Sequence, residues 1–383
     1  MHVLMVGPFP EDLDRPAGGV EAAVANLVVA LGSLPGVEVD VVSNCGTSGD
    51  RIEPHPFGTV TYIPQGPGLH GWARDLHSHL IREVRRREPD VVHVQGLASL
   101  AARLPGSVLT VHGITERDIW ESGRGARRIA RFGGALILEG IPRTMARRAI
   151  AISGLTSQRL RHRGHRVWTI PNAIHPRYFS AGGQVRRGDP NVFLTAGAIS
   201  PIKNTAELIT TFHQVATAND SVRLLLAGSG LDTDYGRHCT ELVDRLHLQQ
   251  HVAFLGYQSG PQIAGLLRRS GTLVQFSRQE NAPMAVAEAL AAGAAVIGSN
   301  VGSVAEMLRG LPGCHVVPVG DARSLASRLL EAAAAEDEAH SLRRHEAARQ
   351  YSPQTVSQQT LAVYREIAGS SRRGVGQHDE ETV

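Results

Sequence analysis

Short apolar runs separated by amphipathic or polar stretches recur along the chain, and their spacing reads as strand–helix alternation. HVLMVG (2–7) is a buried strand ended by Gly-Pro, and a helix over 20–31 follows a Gly-Gly pair. VEVDVVS (37–43) is a second strand. Leu69–Glu88 is helical, broken by Pro89-Asp90. DVVHVQ (90–95), SVLTVH (107–112), AIAIS (149–153) and VWTIP (167–171) are further strands, with an Arg-rich helical stretch at 124–148 and a short helix near 155–162. The pattern then lapses. Residues 180–190, SAGGQVRRGDP, are glycine-rich, charged and non-periodic, as a linker would be. Alternation restarts with strands at 191–197, 222–228, 251–256, 272–277, 294–299 and 314–319. Residues 353–368 form a last helix, and 369–383 carry no apolar pattern and are expected to be disordered.

Apolar strands alternating with helices mean βαβ units and parallel sheets covered on both faces. Two such runs predict an α/β protein of two doubly wound, Rossmann-like domains, 1–180 and 191–350, facing each other across a cleft. Ligands bind such domains at the strand carboxyl ends. The length of 383 residues suits two domains.

Composition removes other classes. With 42% apolar and 20% charged residues, disorder throughout is excluded, and no apolar run approaches the ~18 residues of a membrane span. The N-terminus reads as a strand without a signal peptide, so a cytoplasmic location is expected. Cys45, Cys239 and Cys314 lie too far apart for a zinc site or a disulfide framework. Residues 1–200 carry 23 Arg against 17 acids, and 201–383 carry 16 Lys+Arg against 19. That imbalance, with 4% aromatics, does not make a nucleic-acid-binding surface. The stretch 124–148 has seven arginines and one acid, and it reads as a solvated helix face in preference to a membrane contact. Of 39 Lys+Arg only Lys203 is lysine. An ammonium is a compact point charge where a guanidinium is a planar fork, so the surviving lysine either marks a place for the compact charge or is a chance remnant of codon drift toward arginine, and the count alone does not decide.

The strongest constellation is SRQENAPMAVAEALAAGAAVIGS (277–299). A strand ends near Ser277, a polar loop follows, a helix begins at Pro283, and Gly293 stops it. Glu280 lies in the loop and Glu288 about one and a half turns into the helix. Backbone N–H groups of Ala282, Pro283's successor Met284 and Ala285 are left to face an anion. Carboxylates flanking a positive helix end suit a molecule with hydroxyls at both ends and phosphates between.

Glu280-x7-Glu288 with Pro283 and Gly293 resembles the retaining glycosyltransferases of family 4, which have the GT-B fold. AGAISPIKNTAELI (196–209) resembles their phosphate-binding strand–loop–helix, IPNAIHPRYF (170–179) the segment closing their first domain, and SNVGSVAEML (299–308) the segment after the carboxylate pair. The resemblance implies a hexosyltransferase that moves a sugar from a nucleotide-diphosphate donor, UDP-linked by default, to a small-molecule, glycan or lipid-linked acceptor. It implies that Glu280 binds donor-sugar hydroxyls, Glu288 the ribose, and Lys203 the diphosphate. Gly18 and Gly19 would bring backbone close to the donor, with Asn281, Ala282, Pro283 and Met284 lining it, and His112 would stand near the donor sugar. Glu280, His112 and Lys203 would be catalytic, the last helix would cross back to the first domain, and neither cofactor nor metal would be needed. Asp232-Thr233-Asp234 has a metal-binding spacing but precedes a helix, where aspartates cap N-termini or lie on the surface. Gly228-Ser-Gly230 lacks the third glycine of a dinucleotide fingerprint. His93 reads as strand packing. Ala198 stands where the family usually has an arginine, Ala173 where it has glycine, and Asn281 where glycine is frequent. A nucleotide-sugar 2-epimerase-like isomerase and a catalytically weak nucleotide-sugar binder are the alternatives.

Overall fold

The computed structural model describes all residues except 47–50, 65–68, Pro105, 115–125, 162–164, 180–184, 186–187, 335–338 and 377–383. It divides into two compact units, Met1–Ala173 with Pro353–Val383, and Ile174–Ser352. Ile174 and Tyr178 are buried in the second unit's core, so the change of unit precedes the glycine-rich stretch.

The first unit holds strands β1 (His2–Val6), β2 (Glu38–Gly46), β3 (Arg51–His55), β4 (Gly58–Pro64), β5 (Val91–Gln95), β6 (Val108–Val111), β7 (Arg148–Ala151) and β8 (Arg166–Thr169). Their order in the sheet is β3-β4-β2-β1-β5-β6-β7-β8, parallel except for the β3–β4 pair. The side-chain alternation of β1 shows why both faces must be covered. Val3 and Met5 pack with Val24, Val28 and Leu31 of the helix Gly19–Gly32, and Leu4 and Val6 pack in another cluster with Leu80, Leu100 and Leu109. The helix Pro353–Gly376 belongs to this unit and inserts Val356, Val363, Tyr364 and Ile367 into the first of these clusters. It runs eight residues past its expected end at 368, because helical hydrogen bonding continues once nucleated where the apolar pattern has stopped. The hairpin β3–β4 was not among the expected strands, although TVTYI (59–63) alternates β-branched and aromatic residues and buries Val60 and Tyr62. Pro54 interrupts β3, which is tolerated because β3 is the sheet's edge. The stretch expected as one helix over 124–148 is Ala126–Ala135, a π-helical Leu136–Gly140, and Ile141–Met145.

The second unit has strands β9 (Asp189–Ala196), β10 (Arg223–Ala227), β11 (Val252–Gly256), β12 (Ser270–Gln275), β13 (Ala295–Ser299) and β14 (His315–Val317). They are all parallel, in the order β11-β10-β9-β12-β13-β14. Phe193 and Leu194 again go to opposite faces, the first with Phe212 and Leu325, the second with Val286 and Leu290. In each unit the strand order reverses once, between β1 and β5 and between β9 and β12. Loops leaving the carboxyl ends of those two strands diverge and open a crevice. Among the described residues no helix is long and apolar enough to cross a membrane.

Candidate functional site

The reversal between β9 and β12 decides which side chains meet in the second unit. The loop after β9 carries Lys203, and the loop after β12 carries Glu280, 77 residues later. Lys203 Nζ lies 2.6 Å from Glu280 Oε1, and Gln275 Nε2, at the end of β12, donates to the same oxygen at 2.5 Å. The lysine stem passes over Gly197, at the end of β9. Glu280 is 10% exposed and Lys203 28%, so the pair is shielded from water on the carboxylate side and open on the ammonium side. The chain's lone lysine therefore stands beside the loop carboxylate to which the sequence pointed.

The next segment is a helix N-terminus without a side-chain cap. The helix Met284–Ala291 has Pro283 at its N-cap, which offers no capping oxygen. The first amides of the helix therefore have no side-chain acceptor, the condition for receiving an anion. Gly293 has φ +82°, and the amides of Gly293 and Ala294 bond Leu290 O at 3.0 Å and Ala289 O at 2.9 Å, which closes the helix. The loop 280–282 rests on the turn after β13. Gly302 has φ +54°, and a Cβ there would collide with the carbonyl oxygens of Glu280 and Asn281. Ser303 donates to Asn281 O through its amide at 2.7 Å and its hydroxyl at 2.9 Å. This is what SNVGS contributes: a backbone shelf that fixes the carboxylate loop.

Glu288 faces a different partner. Burial pushes its pKa up to about 7, against the downward pull of a hydrogen bond from the Tyr178 hydroxyl and of the Arg177 charge. Both partners come from IPNAIHPRYF, whose 3-10 turn Pro176–Tyr178 belongs to this unit. Tyr178 was not singled out in the sequence, because its neighbour lies more than a hundred residues away. Ala198 leaves no guanidinium at that position. Arg278, in the loop of Glu280, donates to Asn204 Oδ1 at 3.0 Å and Glu207 Oε2 at 3.2 Å, beside Lys203.

In the first unit Gly18 and Gly19 begin the helix Gly19–Gly32, and both are exposed. Gly18 is extended, and a Cβ on it would meet nothing within 4 Å. Neither strain nor packing within the protein asks for glycine there. His112 follows β6 and is partly buried, its Nε2 2.8 Å from Gln95 Oε1. Burial lowers its pKa to about 4, against a smaller upward pull from the Asn172 side chain. His93 is fully buried, as expected of strand packing, yet it is also hydrogen-bonded to Tyr364 and Thr110.

Thr233, and not an aspartate, caps the helix Asp234–Arg245, accepting from Gly236 N at 3.0 Å. Asp234 pairs with Arg237 at the surface. Among the described residues no group of three or more His, Cys, Asp or Glu is placed to hold a metal. The first-domain loops 8–20, 64–72 and 113–124 are where the sequence places the acceptor surface, and of these 65–68 and 115–124 lie outside the described residues.

The chain matches the model of glycosyltransferase family 4 over residues 17–178 and that of glycosyl transferases group 1 over 181–350. It is 26% identical to the phosphatidyl-myo-inositol mannosyltransferase of Mycobacterium tuberculosis across 97% of this chain and 99% of that protein. Among solved structures it is similar to sucrose-phosphate synthase of Thermosynechococcus elongatus, with a TM-score of 0.81 at 19% identity, covering 97% of this chain and all of the other. It is also similar to the Anabaena protein HepE solved with UDP and glucose, with a TM-score of 0.68 at 17% identity over 94% of this chain and 98% of that one.

Proposed function

The chain belongs to the family 4 glycosyltransferases of the GT-B fold, and on that premise we propose that it transfers a sugar, with retention of anomeric configuration, from a nucleotide-diphosphate donor to an acceptor hydroxyl. The observation that carries this reading is the Lys203–Glu280 pair, 2.6 Å apart, beside an uncapped helix N-terminus. The ammonium and the helix amides take the diphosphate, Glu280 the sugar hydroxyls, and Glu288 the ribose. Gly18 and Gly19 admit the donor close to backbone, and His112 contacts the sugar. The acceptor oxygen attacks the anomeric carbon on the face from which the diphosphate leaves. The new C–O bond forms as the old one breaks, and a phosphate oxygen takes the acceptor's proton. No protein carboxylate becomes covalently attached. The protein's part is positioning and electrostatic stabilisation of the leaving group.

A panel of nucleotide sugars, starting with uridine diphosphate donors, tests the donor by thermal shift. A donor at 100 times its Kd should stabilise by about 2.7 kcal/mol. The product's anomeric proton coupling should report the donor's configuration; an inverted product would overturn the front-face mechanism. Transfer should continue undiminished in excess chelator, since Lys203 and the helix amides carry the phosphate charge. Activity lost to chelator and restored by a divalent ion would overturn metal independence.

On the acceptor side we favour a hydroxyl presented at a lipid surface. Ile137, Ile141 and Met145 recur every four residues and are 66%, 52% and 62% exposed, within the Arg-rich stretch 124–148. Exposed apolar side chains with the exposed Arg147 near Met145 in the sequence suit an anionic membrane interface, Arg143 between them being buried, and the mycobacterial relative is named a phosphatidyl-myo-inositol mannosyltransferase. The chain should co-sediment with vesicles containing anionic phospholipid, less so at high salt. Ile137→Asp with Ile141→Asp should weaken that partition about tenfold or more. Equal recovery on neutral and anionic vesicles, or none on either, would remove the lipid-surface reading.

A further inference from the structure

Gln95 ends β5 at the first unit's strand reversal, and its amide touches three groups that together determine which way it faces. Nε2 lies 3.1 Å from Met5 Sδ and 3.3 Å from His93 Nε2, and Oε1 lies 2.8 Å from His112 Nε2. A thioether sulfur accepts but never donates, so the NH2 end belongs on the Met5 side. The carbonyl end then faces His112, and an oxygen acceptor requires a hydrogen on His112 Nε2. The second N–H of the amide points toward His93 Nε2. His93 Nδ1 lies 2.5 Å from the Tyr364 hydroxyl and Nε2 lies 2.6 Å from the Thr110 hydroxyl, which ties that ring to both. Reversing the amide would set an oxygen against the sulfur and break this sequence of donors at both ends.

We propose that Gln95 is a positioning residue for transfer: it holds His112 as the Nε2–H tautomer, so that Nδ1 is presented as a hydrogen-bond acceptor for a sugar hydroxyl. His112 Nδ1 is buried and makes no hydrogen bond of normal geometry, and the Asn172 side chain beside the ring favours its protonated form. A cavity of about 20 Å³, the room of about one water, adjoins His112 and is bounded also by Gln95, His93, Thr110, Asn172 and Thr360. Met5, His93 and Tyr364 act at one remove, by keeping the amide of Gln95 in one orientation. The assignment of a sugar hydroxyl rests on the glycosyltransferase reading above; the tautomer does not.

The test is therefore in two parts. In protein labelled with 15N-histidine, the His112 ring, identified by its loss in His112→Asn, should show a protonated Nε2 and a bare Nδ1. Gln95→Met keeps length and removes the acceptor. It should give mixed tautomers and lower kcat on the order of tenfold to hundredfold, with donor KM little changed. Gln95→Glu restores the acceptor toward His112 but sets an oxygen against Met5 Sδ and His93 Nε2, so it should recover the Nε2–H tautomer and kcat only in part. A wild-type His112 protonated on Nδ1, or full kcat in Gln95→Met, would overturn the proposal. If no nucleotide sugar supports transfer by the wild type, the functional reading fails while the nitrogen spectra still decide the tautomer.

Discussion

Lys203→Ala should lower kcat/KM for the nucleotide sugar by roughly 30- to 150-fold while the protein melts close to the wild-type temperature. The size follows from the loss of one charge-assisted contact to phosphate, about 2–3 kcal/mol. The lysine is 28% exposed and packs its stem over Gly197, so its removal opens no core cavity. Glu280 keeps its bond from Gln275, which limits the cost of leaving that carboxylate without the ammonium. Lys203→Arg is the sharper control. It keeps the charge but exchanges a compact donor for a planar fork beside a closely packed strand end, and it should recover only part of the activity. Wild-type kinetics in Lys203→Ala would remove the lysine from the diphosphate site and leave the lone-lysine count as codon drift.

Much of this arrangement could be read along the chain, and the parts that could not share a cause. Strand positions followed from apolar runs of about the right length. The switch from one doubly wound sheet to the other followed from the lapse of pattern at 180–190. Lys203 and Glu280 were legible because each lies directly after an apolar strand, and the order of strands then brings them together. Tyr178, Gln95 and Tyr364 were silent for the opposite reason. Each matters through a partner that the fold supplies from elsewhere: Glu288 for Tyr178, His112 and Met5 for Gln95, and His93 for Tyr364, 271 residues away. A tyrosine in a helix and a glutamine at a strand end are ordinary residues until the sheet sets them beside something ionisable. The β3–β4 hairpin was missed by local chemistry. Pro54 lies within β3, and an edge strand tolerates what an inner strand does not.

Glu280→Gln and Glu288→Gln should fail in different ways. Glu280 is held in the loop by Lys203 and Gln275, on the shelf formed by Gly302 and Ser303. It is coupled directly to the ammonium proposed to meet the leaving diphosphate, so losing its charge disturbs groups that matter most as the bond to the sugar breaks. The expected result is a fall in kcat of about ten- to a hundredfold with a small change in donor KM. Glu288 lies a turn into the helix, bonded by Tyr178, and it is proposed to hold the ribose equally in ground and transition states. Its replacement should raise donor KM and spare kcat. Its pKa adds a second signature. Because burial raises it to about 7, the carboxylate is largely protonated below that pH and accepts hydrogen bonds from hydroxyls poorly. Wild-type donor KM should therefore fall as pH rises through about 7, and Glu288→Gln should flatten that limb while Glu280→Gln keeps it. Glutamine preserves size at both sites, so lost packing does not confuse the comparison. If Glu288 governs kcat and Glu280 only KM, the sugar and the ribose lie the other way round along the helix Met284–Ala291.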